Sequence, residues 1–227
     1  MIRSRAVVAA VTLLVVGVAV PGSAHAQNYN FSFNNGLGVF GNLMLTYGTT
    51  ADSKYANGYE ITGVSGTFSD LNTTVPINNA TIGSLVPINP TPPADPNNAP
   101  APHDFSTFAV AGFQPSGVLT FDNLFWPAGA PVTCVDFLGA GGFLDTYGLM
   151  FNIGNGQVVD MWSNGIGQNG VADYGLAVAT ANSSEDYLQG GITTTTTPEP
   201  GTLWLVGTGL VGLITQRRRT RGPKRDA

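Results

Sequence analysis

The chain has 227 residues, of which 43% are hydrophobic and only 10% charged, with 30 glycines, 15 prolines and a formal net charge of −5. A single cysteine, Cys134, excludes an intramolecular disulfide, a cysteine-rich zinc site and an Fe–S cluster. Between Gln27 and Thr197 the only basic residue is Lys54 against twelve acids, so one minus twelve leaves −11, which disfavours nucleic acid and anionic membrane surfaces as partners.

Residues 1–26 read as a signal peptide. Arg3 and Arg5 precede an apolar stretch over 6–20, and Ala24-His25-Ala26 forms a small-x-small cleavage site, with Ala24 and Ala26 as the residues read by signal peptidase. Cleavage leaves Gln27 first. A permanent N-terminal anchor is opposed by Pro21-Gly22, which breaks the helix just before that site.

Residues 27–185 read as one cargo domain, long enough to bury a core without a disulfide. Short apolar runs separated by glycine and asparagine, with no long stretch of helical period, predict strands over 29–33, 39–47 and 59–68, and Gly63 or Gly66 marks a bulge in the third. The proline- and asparagine-rich stretch 75–102 supplies few ladder donors and reads as a long extended loop within the domain. Strands resume over 105–113 and 118–125 around a Gln114-Pro115-Ser116-Gly117 turn. The clearest local signal follows: apolar runs over 149–153 and 157–162 flank Gly154-Asn155-Gly156, which suits a type I′ hairpin, and a strand over 174–179 extends it. These elements predict an all-β fold, a single antiparallel β-sandwich of jelly-roll type, flanked by an N-terminal signal helix and a short C-terminal transmembrane helix. Residues 186–197, ending in five threonines, read as an unstructured spacer.

The C-terminus carries the most specific pattern. Pro198-Glu199-Pro200-Gly201 leads into a glycine-rich apolar segment, then Arg217, Arg218 and Arg219 as a membrane stop, with a basic cytoplasmic tail over 222–227. Residues 201–216 as a helix span roughly 24 Å against a hydrocarbon core of about 30 Å, a length suited to a transient intermediate rather than a permanent anchor. The order of these parts over 198–221 resembles the PEP-CTERM sorting signal of Gram-negative bacteria. The resemblance implies a substrate of exosortase, an inner-membrane transpeptidase, with Pro198, Glu199 and Pro200 as its recognition element, and an association with exopolysaccharide and biofilm matrix. Within the cargo, Gly66-Thr67-Phe68, Asp122-Asn123-Leu124 and Gly148-Leu149-Met150-Phe151 are similar to elements that recur in cargo domains with such tails; no activity comes with them.

Catalytic chemistry finds little footing. His103 and Asp104 are adjacent on an extended segment and so point apart, which opposes a triad with Cys134. Glycoside hydrolysis needs two carboxyls about 5 to 9 Å apart, and twelve acids make pairs uninformative. Tyr55, Tyr59, Trp126 and Trp162 are the aromatics available to stack on sugars, although strand aromatics more often fill a core. Asp145, Asp160 and Asp173, near glycine-rich turns, are the candidate calcium ligands, with solvated turn aspartates as the simpler reading because no EF-hand loop is present. The expectation is a non-enzymatic exported protein without an assigned cofactor. Signal peptidase and exosortase are its processing partners, exopolysaccharide is a candidate partner, the inner membrane is a transient stop, and the final location is the cell surface or extracellular. Its expected role is structural or adhesive, with a carbohydrate-binding module or weak glycoside hydrolase as the alternative.

Overall fold

Strict alternation shapes the strands. In the stretch Val39-Phe40-Gly41-Asn42-Leu43-Met44-Leu45 the odd-numbered residues are buried and the even ones exposed, the period of two that places one face of a strand on a core. The computed structural model describes residues 26–89, 105–113, 117–134 and 136–197, and over these the chain is built of strands without a helix. The first half contributes β1 (Gln27–Asn34), β2 (Val39–Ala51), β3 (Tyr59–Asp70), β4 (Ile77–Thr81) and β5 (Ser84–Leu85). The middle contributes β6 (Ser106–Ala109), β7 (Val118–Phe121) and β8 (Leu124–Phe125). The last part contributes β9 (Leu149–Gly154), β10 (Gln157–Ile166), β11 (Ala172–Ala179) and β12 (Ser184–Thr197). The β9–β10 turn is the expected one: Asn155 and Gly156 both take positive φ, 54° and 73°.

All but the β6–β7 hairpin join one antiparallel sheet, in the order β4-β3-β2-β1-β12-β11-β10-β9-β5, with β8 added beside β3. Only Ile82 and Gly83 separate β4 from β5, yet these two strands pair with opposite ends of that order, β3 and β9. The sheet therefore curls until its two ends border one short stretch of chain. Its concave face holds the main core, which includes Phe31, Phe33, Leu45, Phe68, Phe151 and Leu176. On the convex face of β9, β10 and β11, Met150, Val158 and Ala177 are covered by Leu119 and Phe121 of the β6–β7 hairpin.

Three expectations change. The two-sheet sandwich gives way to one curled sheet, because β12 runs past β11 and continues onto β1, joining by a ladder what would otherwise be two sheets. The threonine run is consequently not a spacer: Thr193 to Thr197 pair with Asn34 to Asn30, and Ser32 Oγ lies 2.7 Å from Thr195 Oγ1. β-Branched threonines favour such a pleated, partnered strand. The domain thus extends through residue 197. The proline-rich loop starts later than expected, since its first residues form β4 and β5; residues 90–102 lie outside the described residues. So do the signal segment before Ala26 and the C-terminal segment from Pro198, and among the described residues no helix is long and apolar enough to cross a membrane.

Gly66-Thr67-Phe68, Asp122-Asn123-Leu124 and Gly148-Leu149-Met150-Phe151 meet at the seam where the sheet ends converge. Asn123, buried and at φ 53°, accepts from the Met150 N–H through Oδ1 at 2.9 Å and donates from Nδ2 to the Val86 carbonyl at 2.9 Å. Its backbone donates to Gly148 and accepts from Ile61, both at 2.9 Å, so one residue ties β3 to β9. Phe68 and Phe151 meet beside it, ring centroids 6.3 Å apart. Replacing Asn123 with Ala leaves the buried Met150 N–H and Val86 carbonyl without partners and places Ala at positive φ, so chemical denaturation should show a loss of about 3 kcal/mol. Asn123→Gly should recover about 1 kcal/mol of it by relieving the backbone alone.

Candidate functional site

Alternation along β10 builds the site. Val159, Met161 and Ser163 are buried on one side, while Asp160, Trp162 and Asn164 line the convex side beyond the part that the β6–β7 hairpin covers. Beside them stand Asp173 from β11, Tyr187 and Gln189 from β12, and Phe113 and Thr120 from the hairpin region. Together they enclose an open groove of about 760 Å³.

Its floor is aromatic. Trp162 faces Gly175 across the β10–β11 ladder, and a Cβ on Gly175 would come within 2.3 Å of the indole. Only glycine lets the indole lie flat on the neighbouring strand. Tyr187 stacks on it at 5.6 Å and 28°, Phe113 meets Tyr187 edge-on at 5.2 Å, and Trp162 Nε1 donates to Asn164 Oδ1 at 3.2 Å, which fixes the ring.

Two carboxyls mark the groove differently. Asp160 sits between Met150 and Ala177 in register, is 2% exposed, and has Oδ1 without a hydrogen-bond partner. Burial pushes its carboxyl well above the usual range, against a smaller lowering by the Met161 N–H. Asp173 instead accepts from the Gly191 N–H at 2.7 Å and from Asn164 Nδ2 at 3.2 Å. Asp160 and Asn164 are four residues apart on one strand, so their Cα atoms stand on the order of 13 Å apart, and Asp173 is bonded at the Asn164 end.

The three candidate calcium ligands do not come together. Asp160 and Asp173 occupy different parts of the groove, and Asp145 is buried elsewhere, its Oδ1 accepting from Tyr147 and Gly148. No group of three or more His, Cys, Asp or Glu converges among the described residues. Of the aromatics, Trp162 faces the groove, Trp126 is core and packs edge-on against Tyr55 at 5.4 Å, and Tyr59 packs on Tyr47 at 6.2 Å. Cys134 is buried, and His103, Asp104, Ala24, Pro198, Glu199, Pro200 and Arg217 to Arg219 lie outside the described residues. Tyr187 and Gln189 were missed because their segment reads as spacer. The alternation of Tyr187 and Gln189 with Asp186 and Leu188 was the available signal.

Residues 196–219 match the family model described as the PEP-CTERM protein-sorting motif. No curated protein and no solved structure matches the chain. The match begins on the last two residues of β12.

The carboxyl shifts have a signed consequence. Asp160, and Asp70 at the end of β3, which burial and then the neighbouring Asp186 raise to about 6, bind protons more tightly folded than unfolded. Their stabilising contribution is complete below the unfolded value near pH 4 and is lost as pH rises through the folded values. Asp160→Asn and Asp70→Asn should each raise the denaturation midpoint more at pH 7.5 than at pH 4.5, measured by urea titration at both.

Proposed function

We propose that this exosortase-sorted, exported protein carrying a PEP-CTERM motif holds polysaccharide in the Trp162–Tyr187 groove, as a non-catalytic adhesive component of the cell surface or extracellular matrix. The stacked, backbone-locked aromatic pair beside fixed polar groups carries this reading. A pyranose ring presents apolar C–H faces that pack on aromatic planes, and its hydroxyls take the acceptors and donors of Asp173, Asn164 and Gln189. Asp160, whose carboxyl burial pushes well above the usual range, lies at the floor of the groove. The acidic surface and the two groove aspartates favour a neutral glycan over a uronic one.

The separation of Asp160 and Asp173 favours binding over hydrolysis, since glycosidase pairs stand about 5 to 9.5 Å apart. On this reading signal peptidase cuts after Ala26, exosortase cuts near Pro198, Glu199 and Pro200, and the Arg217–Arg219 cluster holds the chain at the inner membrane only until that cut.

Two measurements test it. On a glycan array the chain should retain neutral polysaccharide without releasing reducing ends. Trp162→Ala should weaken retention at least tenfold, and Gly175→Ala, which displaces the indole, should act likewise. Retention unchanged in both variants removes the groove from the reading. Mass mapping of secreted material should end near Pro198; peptides running through Trp204 to Arg217 would refute exosortase processing there.

A further inference from the structure

Asp160, Trp162 and Asn164 follow one another on the convex face of β10, roughly 7 Å from each to the next, and all three line the groove. Their polar groups are unequally free. The Trp162 Nε1–H is given to Asn164 Oδ1, and Asn164 Nδ2 is given to Asp173 Oδ2 and to the Gln189 carbonyl, so these donors are spent within the protein. Asp173 Oδ1 takes the Gly191 N–H. At the other end of the row Asp160 is 2% exposed, stands in register between Met150 and Ala177, and has Oδ1 without a hydrogen-bond partner.

The rings tilt the balance the same way. Phe113, Tyr187 and Trp162 form a contiguous set, with centroids 5.2 and 5.6 Å apart, and the face of an aromatic ring carries partial negative charge. No side chain supplies a cation to them. Lys54 is the only Lys or Arg among the described residues, and it lies over the Tyr55 ring, 5.5 Å from its centroid and outside the groove lining. The groove therefore presents an unpaired acceptor and negative ring faces. An ammonium fits both, having three N–H donors and no acceptor.

We propose that the groove selects a polysaccharide carrying free amino groups, a de-N-acetylated hexosamine polymer, with a sugar ring on Trp162 and its ammonium on the Asp160 carboxyl. This rests on the glycan reading of the same groove and adds one substituent to an otherwise neutral sugar chain. An ammonium arriving at an apolar floor beside aromatic faces is held more strongly than in water, and its charge opposes the upward push that burial puts on Asp160. An N-acetyl group in the same place removes the charge and turns a carbonyl toward an acceptor. The excess of acids between Gln27 and Thr197 also draws a cationic chain to the surface, but that attraction does not depend on any one carboxyl.

Three β-1,4-linked oligosaccharides of equal length, built of glucosamine, N-acetylglucosamine or glucose, share a backbone and differ only at carbon 2. Titrated calorimetrically into the purified full-length chain at neutral pH, the glucosamine oligomer should bind at least tenfold tighter than the other two. The isosteric Asp160→Asn should shrink that preference to about twofold, and Trp162→Ala should weaken all three. Poly-lysine, which offers ammonium groups without a sugar ring, should compete at least tenfold more weakly per ammonium. Equal binding of the three oligomers would overturn the proposal and leave the glycan reading standing. A preference that survives Asp160→Asn would overturn it by assigning the attraction to the acidic surface at large. Poly-lysine competing as well as the glucosamine oligomer would make the groove a site for a basic peptide instead. Binding of none of the oligomers would take the glycan reading down as well.

Discussion

The ladder between β1 and β12 is the constraint on which the architecture depends. β12 spends its first part on β11 and its last part on β1, so a single strand carries the hydrogen bonding from one half of the sheet to the other. Were it to stop at Ile192, β1 would expose an unpaired edge and the halves would be held by side-chain packing alone. With the ladder in place the sheet can curl, and the curl is fixed at its far side by Asn123, whose backbone and side chain reach Ile61, Val86, Gly148 and Met150 at once. A ladder and a buried amide thus act on opposite sides of the same core.

The groove is a by-product of incomplete coverage. β10 is apolar toward the core and mixed on its convex side, and the β6–β7 hairpin buries Val158 while its cluster covers Trp162 only in part. Closing the remainder would need another strand. What remains is a rigid aromatic shelf on a central strand, a firmer mounting for a recognition surface than a loop.

Local patterning revealed β2 and β3 by the alternation of a half-buried strand, and β9, β10 and β11 by short apolar runs buried on both faces, with Asn155-Gly156 naming its own turn. It failed where a residue's state is set by a distant partner. Thr193 to Thr197 are polar, uniform and without alternation, so in isolation they look like linker; opposite Asn30 to Asn34 they are strand. That misreading hid Tyr187 and Gln189 as groove residues. Asp145 was legible as a notable aspartate from its glycine-rich surroundings, but its burial comes only with the fold. Asp122 and Asn123 belong to a recognisable short element whose purpose, tying β3 to β9, no linear pattern contains.

The strand that completes the sheet is also, among the described residues, the last one the ribosome makes. Residues near 30 wait for residues near 195, the largest loop-closure separation in the domain, and until that partner arrives β1 has an open side. A chain crossing a membrane N-terminus first therefore keeps its central ladder unformed through most of its passage. The sorting motif begins on Thr196, inside the closing strand, so the segment that finishes folding and the segment that reports for processing emerge together. Thr196 and Thr197 belong both to the ladder that closes the sheet and to the start of the matched motif.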